Sequence, residues 1–260
     1  KNKFHLNNHY VITVPGGMAT LDVVINSLLD KTFWVPKYHW GSWNKILTIH
    51  NKDIKTFNDF DINNVEVGEG VVMLCYPSNP TGYAPKFEEL KTFVEVCKKR
   101  NQTLILDLPY YYLFNEMDNR IYELYSDNVI IISSFSKSVG LSGLRVGYIA
   151  TKNKELYDTM KIRSLYKYNS ISTIPQEIIN RLFNYTLGQA AFNNYRTKTK
   201  NHITKNIQYL HDNGLLFDEY TNIPTGPFAI INKTFDELLN NKISSVPLNK
   251  FTFKNTEEKL

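Results

Sequence analysis

Ser133-Ser134-Phe135-Ser136-Lys137, followed by Gly143-Leu144-Arg145-Val146-Gly147, is the stretch that decides how this chain is read. A lysine stands among hydroxyl side chains, with an arginine eight positions on. An amine can bond covalently to an aldehyde, and a guanidinium fork with neighbouring hydroxyls can hold a phosphate. The plain alternative is a solvated lysine and a surface arginine. Two further segments weigh against that alternative. Asn79-Pro80-Thr81-Gly82 comes after the apolar run Val71 to Cys75, and Asp107-Leu108-Pro109-Tyr110 comes after Leu104-Ile105-Leu106. Each run has the length and composition of a short buried strand ending in polar residues.

Around these segments the pattern alternates. One apolar face, Leu21, Val24, Ile25 and Leu28, predicts a helix over about 18–30, and Phe33-Trp34-Val35 predicts a short strand. Val71 to Tyr76, Thr103 to Leu106, Val129 to Ile132 and Val146 to Ala150 predict further strands, and Phe87, Leu90, Val94 and Cys97 a helix between two of them. The passage from Asn51 to Asn64 reads as exposed loop. Strands alternating with helices imply an α/β fold with a mostly parallel sheet covered on both faces. Functional loops in such folds gather beyond the carboxyl ends of the strands, where Asn79, Asp107 and Lys137 all fall. Helical patterns then dominate, over 153–165, 174–185 and 189–213. Gly226 to Ile231 reads as a turn and strand. The expected division is a large domain over residues 1–200 and a small, abbreviated carboxyl-terminal domain over 201–260.

The order Asn-Pro-Thr-Gly, Asp-x-x-Tyr, Ser-x-Ser-Lys and Gly-x-Arg-x-Gly resembles the class I/II aminotransferases of the aspartate aminotransferase fold, which are fold-type I pyridoxal-phosphate enzymes. The likeness runs from about Val11 to Arg163. It implies a Schiff base between Lys137 and the cofactor aldehyde, with the same lysine moving the substrate proton. It sets Asp107 opposite the pyridine nitrogen, and Asn79 and Tyr110 on the ring oxygen, with Tyr111 and Tyr112 as packing residues. Gly16, Gly17 and Met18, at a glycine-rich turn before a helix, join Ser134, Ser136 and Arg145 around the phosphate. Trp40 stacks on the ring in this reading, with Tyr38 as the rival. The implied reaction is ping-pong transfer of an amino group between an amino acid and a 2-oxo acid. Decarboxylase, lyase or racemase chemistry on the same scaffold, and a non-catalytic cofactor-binding module, are the alternatives.

The resemblance also implies a longer segment before the glycine-rich turn, where fifteen residues stand here, and a carboxyl-terminal arginine for the substrate carboxylate. Lys250 is the nearest match to that arginine. Arg163 and Tyr168 fall near a region that meets substrate in some relatives, without a register that assigns either. The family implies a homodimer.

Composition sets the outer bounds. The 260 residues are 42% hydrophobic and 13% aromatic, enough for a packed core and unlike a disordered chain. No apolar run has the length of a membrane-spanning helix, and Lys1 to His5 do not resemble a secretory signal, so a cytoplasmic protein is expected. The net charge of +5 is scattered without a basic block, which gives no reason to expect nucleic acid. Cys75 and Cys97 read as reduced core cysteines, and the six histidines show no metal-ligand spacing. His5 and His9 read as surface residues.

Overall fold

Five apolar residues in a row at Val71–Cys75 have no polar face to show to water, so they form a strand buried on both sides, β4, in the computed structural model. The structure describes residues 6–58, 60, 62, 67–114 and 119–253. In chain order, β1 (Tyr10–Val14), α1 (Gly17–Ser27), β2 (Thr32–Pro36), α2 (Ser42–Ile49) and β3 (Asp53–Phe57) precede β4. Then come α3 (Phe87–Lys99), β5 (Thr103–Asp107), α4 (Tyr111–Phe114), β6 (Val129–Ser134), α5 (Phe135–Ser138) and β7 (Gly147–Thr151). Helices α6 (Lys154–Tyr168), α7 (Thr173–Asn184), α8 (Thr186–Asp212) and α9 (Phe235–Asn240) follow.

The strands form one seven-stranded sheet in the order β1-β7-β6-β5-β4-β2-β3. Strands β2 to β6 pair in parallel, while β7 runs antiparallel to both β6 and β1. Alternate side chains feed two cores. Val72, Leu74, Leu104, Leu106 and Ile131 pack toward Leu90, Phe93, Val94 and Cys97 of α3. Val71, Met73, Ile105, Ile130 and Ile132 pack toward Leu21, Val24 and Ile25 of α1 and Trp43 and Leu47 of α2. This is the α/β architecture expected, with helices on both faces of a mostly parallel sheet.

Several local expectations change. Within the passage read as loop, Asp53–Phe57 is edge strand β3, and the stretch before Pro15 supplies the opposite edge, β1. Gly226 to Ile231 makes only an isolated bridge, between Leu216 and Ile231. His9 is buried, at 5% exposure, with its ring edge-on to Tyr125, so it is not a surface residue; His5 lies outside the described residues. Residue 201, where the small domain is expected to begin, lies within α8, the long helix expected over 189–213.

Helix α1 is held from its flank. Asp22, buried within it, accepts hydrogen bonds from Tyr168 Oη at 2.8 Å and meets His50 Nε2 at 2.9 Å and the Lys167 ammonium. Burial pushes the Asp22 carboxyl up, but these partners together bring it below its ordinary value. The helix is thereby tied to the end of α6 and to the residue following α2. Among the described residues no helix is long and apolar enough to cross a membrane.

Candidate active site

The carboxyl ends of β4, β5 and β6 lie in one row, because Cys75 pairs in register with Asp107, and Asp107 with Ile132. Past this row the chain turns out of the sheet three times and leaves a cavity of about 340 Å³. The loop after β4 brings Asn79 to its wall. The turn after β5 brings Pro109 and Tyr110, and β6 runs directly into α5, which carries Ser136 and Lys137. Trp40, Trp43 and Phe228 line the same space.

Asp107 is 8% exposed. Burial raises its carboxyl to about 7, and the indole of Trp43 is the group that pulls it the other way. Trp43 Nε1 nevertheless makes no hydrogen bond to any acceptor, although the ring is 1% exposed. Among the described residues no lysine, arginine or histidine pairs with Asp107. A buried carboxylate without a cation is costly, and a positively charged group in the cavity would relieve it.

Asn79 Nδ2 donates to Tyr110 Oη at 3.2 Å, so these two polar groups meet on one wall. Burial holds the Tyr110 phenol well above its ordinary range, and the thiol of Cys75 and the carboxylate of Asp107 push it the same way. Tyr111 packs between Tyr76 and Tyr112, and Tyr112 hydrogen-bonds Tyr148 at 3.1 Å, so both are packing residues as expected.

The opposite end of the cavity is a cradle. Val14, Gly147 and Ser134 sit side by side across β1, β7 and β6. From Val14 the chain passes through Gly16, at φ 89°, into α1. A Cβ on Gly16 would collide with the Arg145 guanidinium, 2.8 Å from Cζ, and one on Gly17 would stand 3.5 Å from Ser134 Oγ. The missing side chain of Gly16 lets backbone and guanidinium approach, whereas a side chain at Gly17 would make only an ordinary contact. The first turn of α1 carries no acidic residue and no side-chain cap, so its N–H groups are open to an anion. Arg145, in the left-handed region at φ 52°, donates from Nη1 to Ser142 O at 3.0 Å.

Of the residues singled out in the sequence, Gly17, Met18, Trp40, Asn79, Asp107, Tyr110, Ser134, Ser136, Lys137 and Arg145 line the cavity. Gly16 abuts it through Arg145. Tyr38 packs instead against Phe60 and Phe217, so of these two candidates Trp40 is the one that lines the cavity. Lys250 is not among the lining residues; its carbonyl lies against Gly41, beside Trp40. Leu21, Trp43, Cys75, Pro109, Ser142 and Phe228 were missed. Strand register alone points to Cys75, opposite Asp107, whereas nothing local in the sequence points to Phe228.

The fold is that of aspartate aminotransferase. The structure matches the enzyme from Thermus thermophilus with maleate at a TM-score of 0.78 and 19% identity, over 93% of this chain and 68% of that one. The family model for aminotransferase class I and II matches residues 1–252, and the chain belongs to that family. Histidinol-phosphate aminotransferase 2 of Oceanobacillus iheyensis is 39% identical over 116 residues, 43% of this chain and 31% of that protein. LL-diaminopimelate aminotransferase of Azobacteroides pseudotrichonymphae is 30% identical over 156 residues, 57% of this chain and 38% of that protein. The matched stretches thus span about a third of the length of these relatives.

Proposed function

We propose that this chain carries the pyridoxal-phosphate site of an aminotransferase that moves an amino group between an amino acid and a 2-oxo acid. The residues fit that cofactor. An anion cradle at a helix N-terminus, a buried carboxylate without a cation and an amine share one cavity. Pyridoxal phosphate supplies an aldehyde and a ring that draws negative charge away from the amino acid α carbon.

The chain's side chains do the rest. Lys137 Nζ would hold the cofactor aldehyde, and its amine would serve to hold or move a proton at the substrate α carbon. Asp107 would keep the cofactor's ring nitrogen protonated, because a buried carboxylate favours a cationic partner. Asn79 and Tyr110 would hold the ring oxygen, and Trp40 would stack on the ring. Ser134, Ser136, Arg145 and the amides of Gly16, Gly17 and Met18 hold the phosphate. Residues 1–200 form the cofactor-binding part in this reading, and residues 201–260 a small, abbreviated domain. A homodimer in the cytoplasm completes it. The buried thiols of Cys75 and Cys97, neither of them in a disulfide and the latter pushed up to about 12 by burial, support a reducing compartment. Exposed Ile162, Leu165 and Ile174 support a partner surface on α6 and α7.

The observation that carries the proposal is Asp107, a carboxylate buried without a cation in the cavity that also holds Lys137. The test is to add the cofactor, reduce with borohydride and map the modified peptide. The label is expected on Lys137 and absent from Lys137→Ala. A label on another lysine, or none, overturns the assignment. Absorbance changes with a panel of amino acids then report whether an amino group is transferred.

A further inference from the structure

Phe228 reaches the cavity from the segment after α8, far in sequence from every other wall. Its ring stands edge-on to Tyr110, with centroids 5.3 Å apart and planes at 85°. The same residue is also a wall of a second, larger space of about 740 Å³. Pro80, Phe217, Phe235, Leu238 and Val246 are among the other walls there, and they make it largely apolar.

The backbone that carries Phe228 is pinned. Gly82 O accepts hydrogen bonds from Thr225 N at 3.0 Å and Gly226 N at 2.8 Å. A Cβ on Gly82, at φ 66°, would collide with the Phe228 carbonyl, and one on Gly226 would stand 2.9 Å from Gly82 Cα. Tyr220 Oη grips both sides of the contact: it donates to Thr81 O and accepts from Ile230 N at 2.9 Å. The main chain is held by the loop that carries Asn79, and Phe228 is a wall of both spaces.

We propose that Phe228 is a specificity-determining wall. Its ring closes the catalytic cavity against the apolar groove and so sets the largest substrate side chain admitted. With a smaller residue in its place, the groove becomes a subsite for bulky, uncharged or aromatic side chains. This rests on the aminotransferase reading of the same site.

Unreactive 2-methyl amino acids of rising side-chain size test it, from 2-methylalanine to 2-methylphenylalanine. Their dissociation constants are read from the absorbance of the bound cofactor, without turnover. Each methylene placed in an apolar pocket is worth roughly tenfold or more in discrimination. Phe228→Ala is therefore expected to shift the ratio of large to small ligand affinities by at least about tenfold toward the large one. Phe228→Leu should give a smaller shift in the same direction and Phe228→Trp the opposite one. A residue that only props up the fold would weaken all ligands alike. A ratio unchanged within about twofold in all three variants, each retaining the cofactor colour, overturns the proposal alone. A parent chain that gains no colour with the cofactor overturns the reading of the site and this inference with it.

Discussion

Strands β4 to β7 and helices α7 and α8 are built on opposite terms. Nearly every residue of those strands is buried, whereas α7 buries Ile179 and Phe183, and α8, 27 residues long, buries Phe192 and Ile207. The strands are held on two faces and by two ladders, so their ends are placed by register, and Asp107, Ser134 and Cys75 inherit that precision. Of the described residues after β7, Phe228 alone lines the cavity, placed by a few contacts to the loop after β4, while Tyr195 of α8 donates to the Lys137 carbonyl at 3.5 Å. A buried frame can carry the cost of an uncompensated carboxylate; a thinly packed one positions groups only where it is clamped to that frame.

The largest expected effect belongs to Asp107→Asn, which breaks the strand-end half of this contrast. Loss of one partner of a buried ion pair costs about 3–5 kcal/mol, so cofactor affinity should fall on the order of 10²–10⁴-fold in an absorbance titration. The cofactor-free chain should respond in the other direction. Its Asp107 keeps a proton up to about pH 7, against an ordinary value of 3.8. The folded state therefore binds the extra proton between those values. Its stabilising contribution is complete below about pH 4, declines as pH rises and is gone above about 7. Urea unfolding of the parent at pH 5 and pH 8 should differ by a few kcal/mol from this group, and the difference should shrink in Asp107→Asn. An equal slope in both proteins would contradict the role given to burial.

Gly82→Ala tests the clamp between the two regions. A side chain at φ 66° facing the Phe228 carbonyl should cost about 1–3 kcal/mol of stability, measured by urea unfolding. It should also free Phe228, which would appear as altered ligand discrimination at the cavity. Tyr110→Phe removes the hydroxyl that Asn79 meets at 3.2 Å. It should cost about 0.5–1.5 kcal/mol in cofactor affinity, with the fold retained by circular dichroism. The smallest effect belongs to the helices. Leu187, 86% exposed at the start of α8, should tolerate Ser within about 0.5 kcal/mol of stability. A larger loss would mean that this face is covered in solution, and sedimentation of parent and variant would report it.

The legibility of the sequence follows the same division. Strands buried on both faces are continuous apolar runs, so β4, β5 and β6 stood out, and one-sided helices such as α1 and α3 showed their period. Edge strands do not have to hide both faces. Asp53–Phe57, with only Phe57 buried, resembled a polar loop, and β1 mixes exposed and buried positions without a clear alternation. Ile230 and Ile231 looked like strand residues but found a single bridging partner, Leu216, instead of a ladder. His9 looked exposed because it stands near the start of the sequence in no metal-binding pattern, yet the chain folds its ring against Tyr125.

By itself the sequence determined the kind of chemistry: an amine, a carboxylate, a phenol and a guanidinium, each just after an apolar run or beside a glycine turn. Parallel strands must end at one edge, so order along the chain was enough to gather Asn79, Asp107 and Lys137. The tertiary structure decided what depends on distance through space. It separated Trp40 from Tyr38, aromatic residues two positions apart that no local pattern distinguishes, and set Lys250 outside the cavity. It brought Phe228 to Tyr110 by folding the segment after α8 onto Gly82, a contact that depends on a missing Cβ and on two backbone N–H groups rather than on any local periodicity.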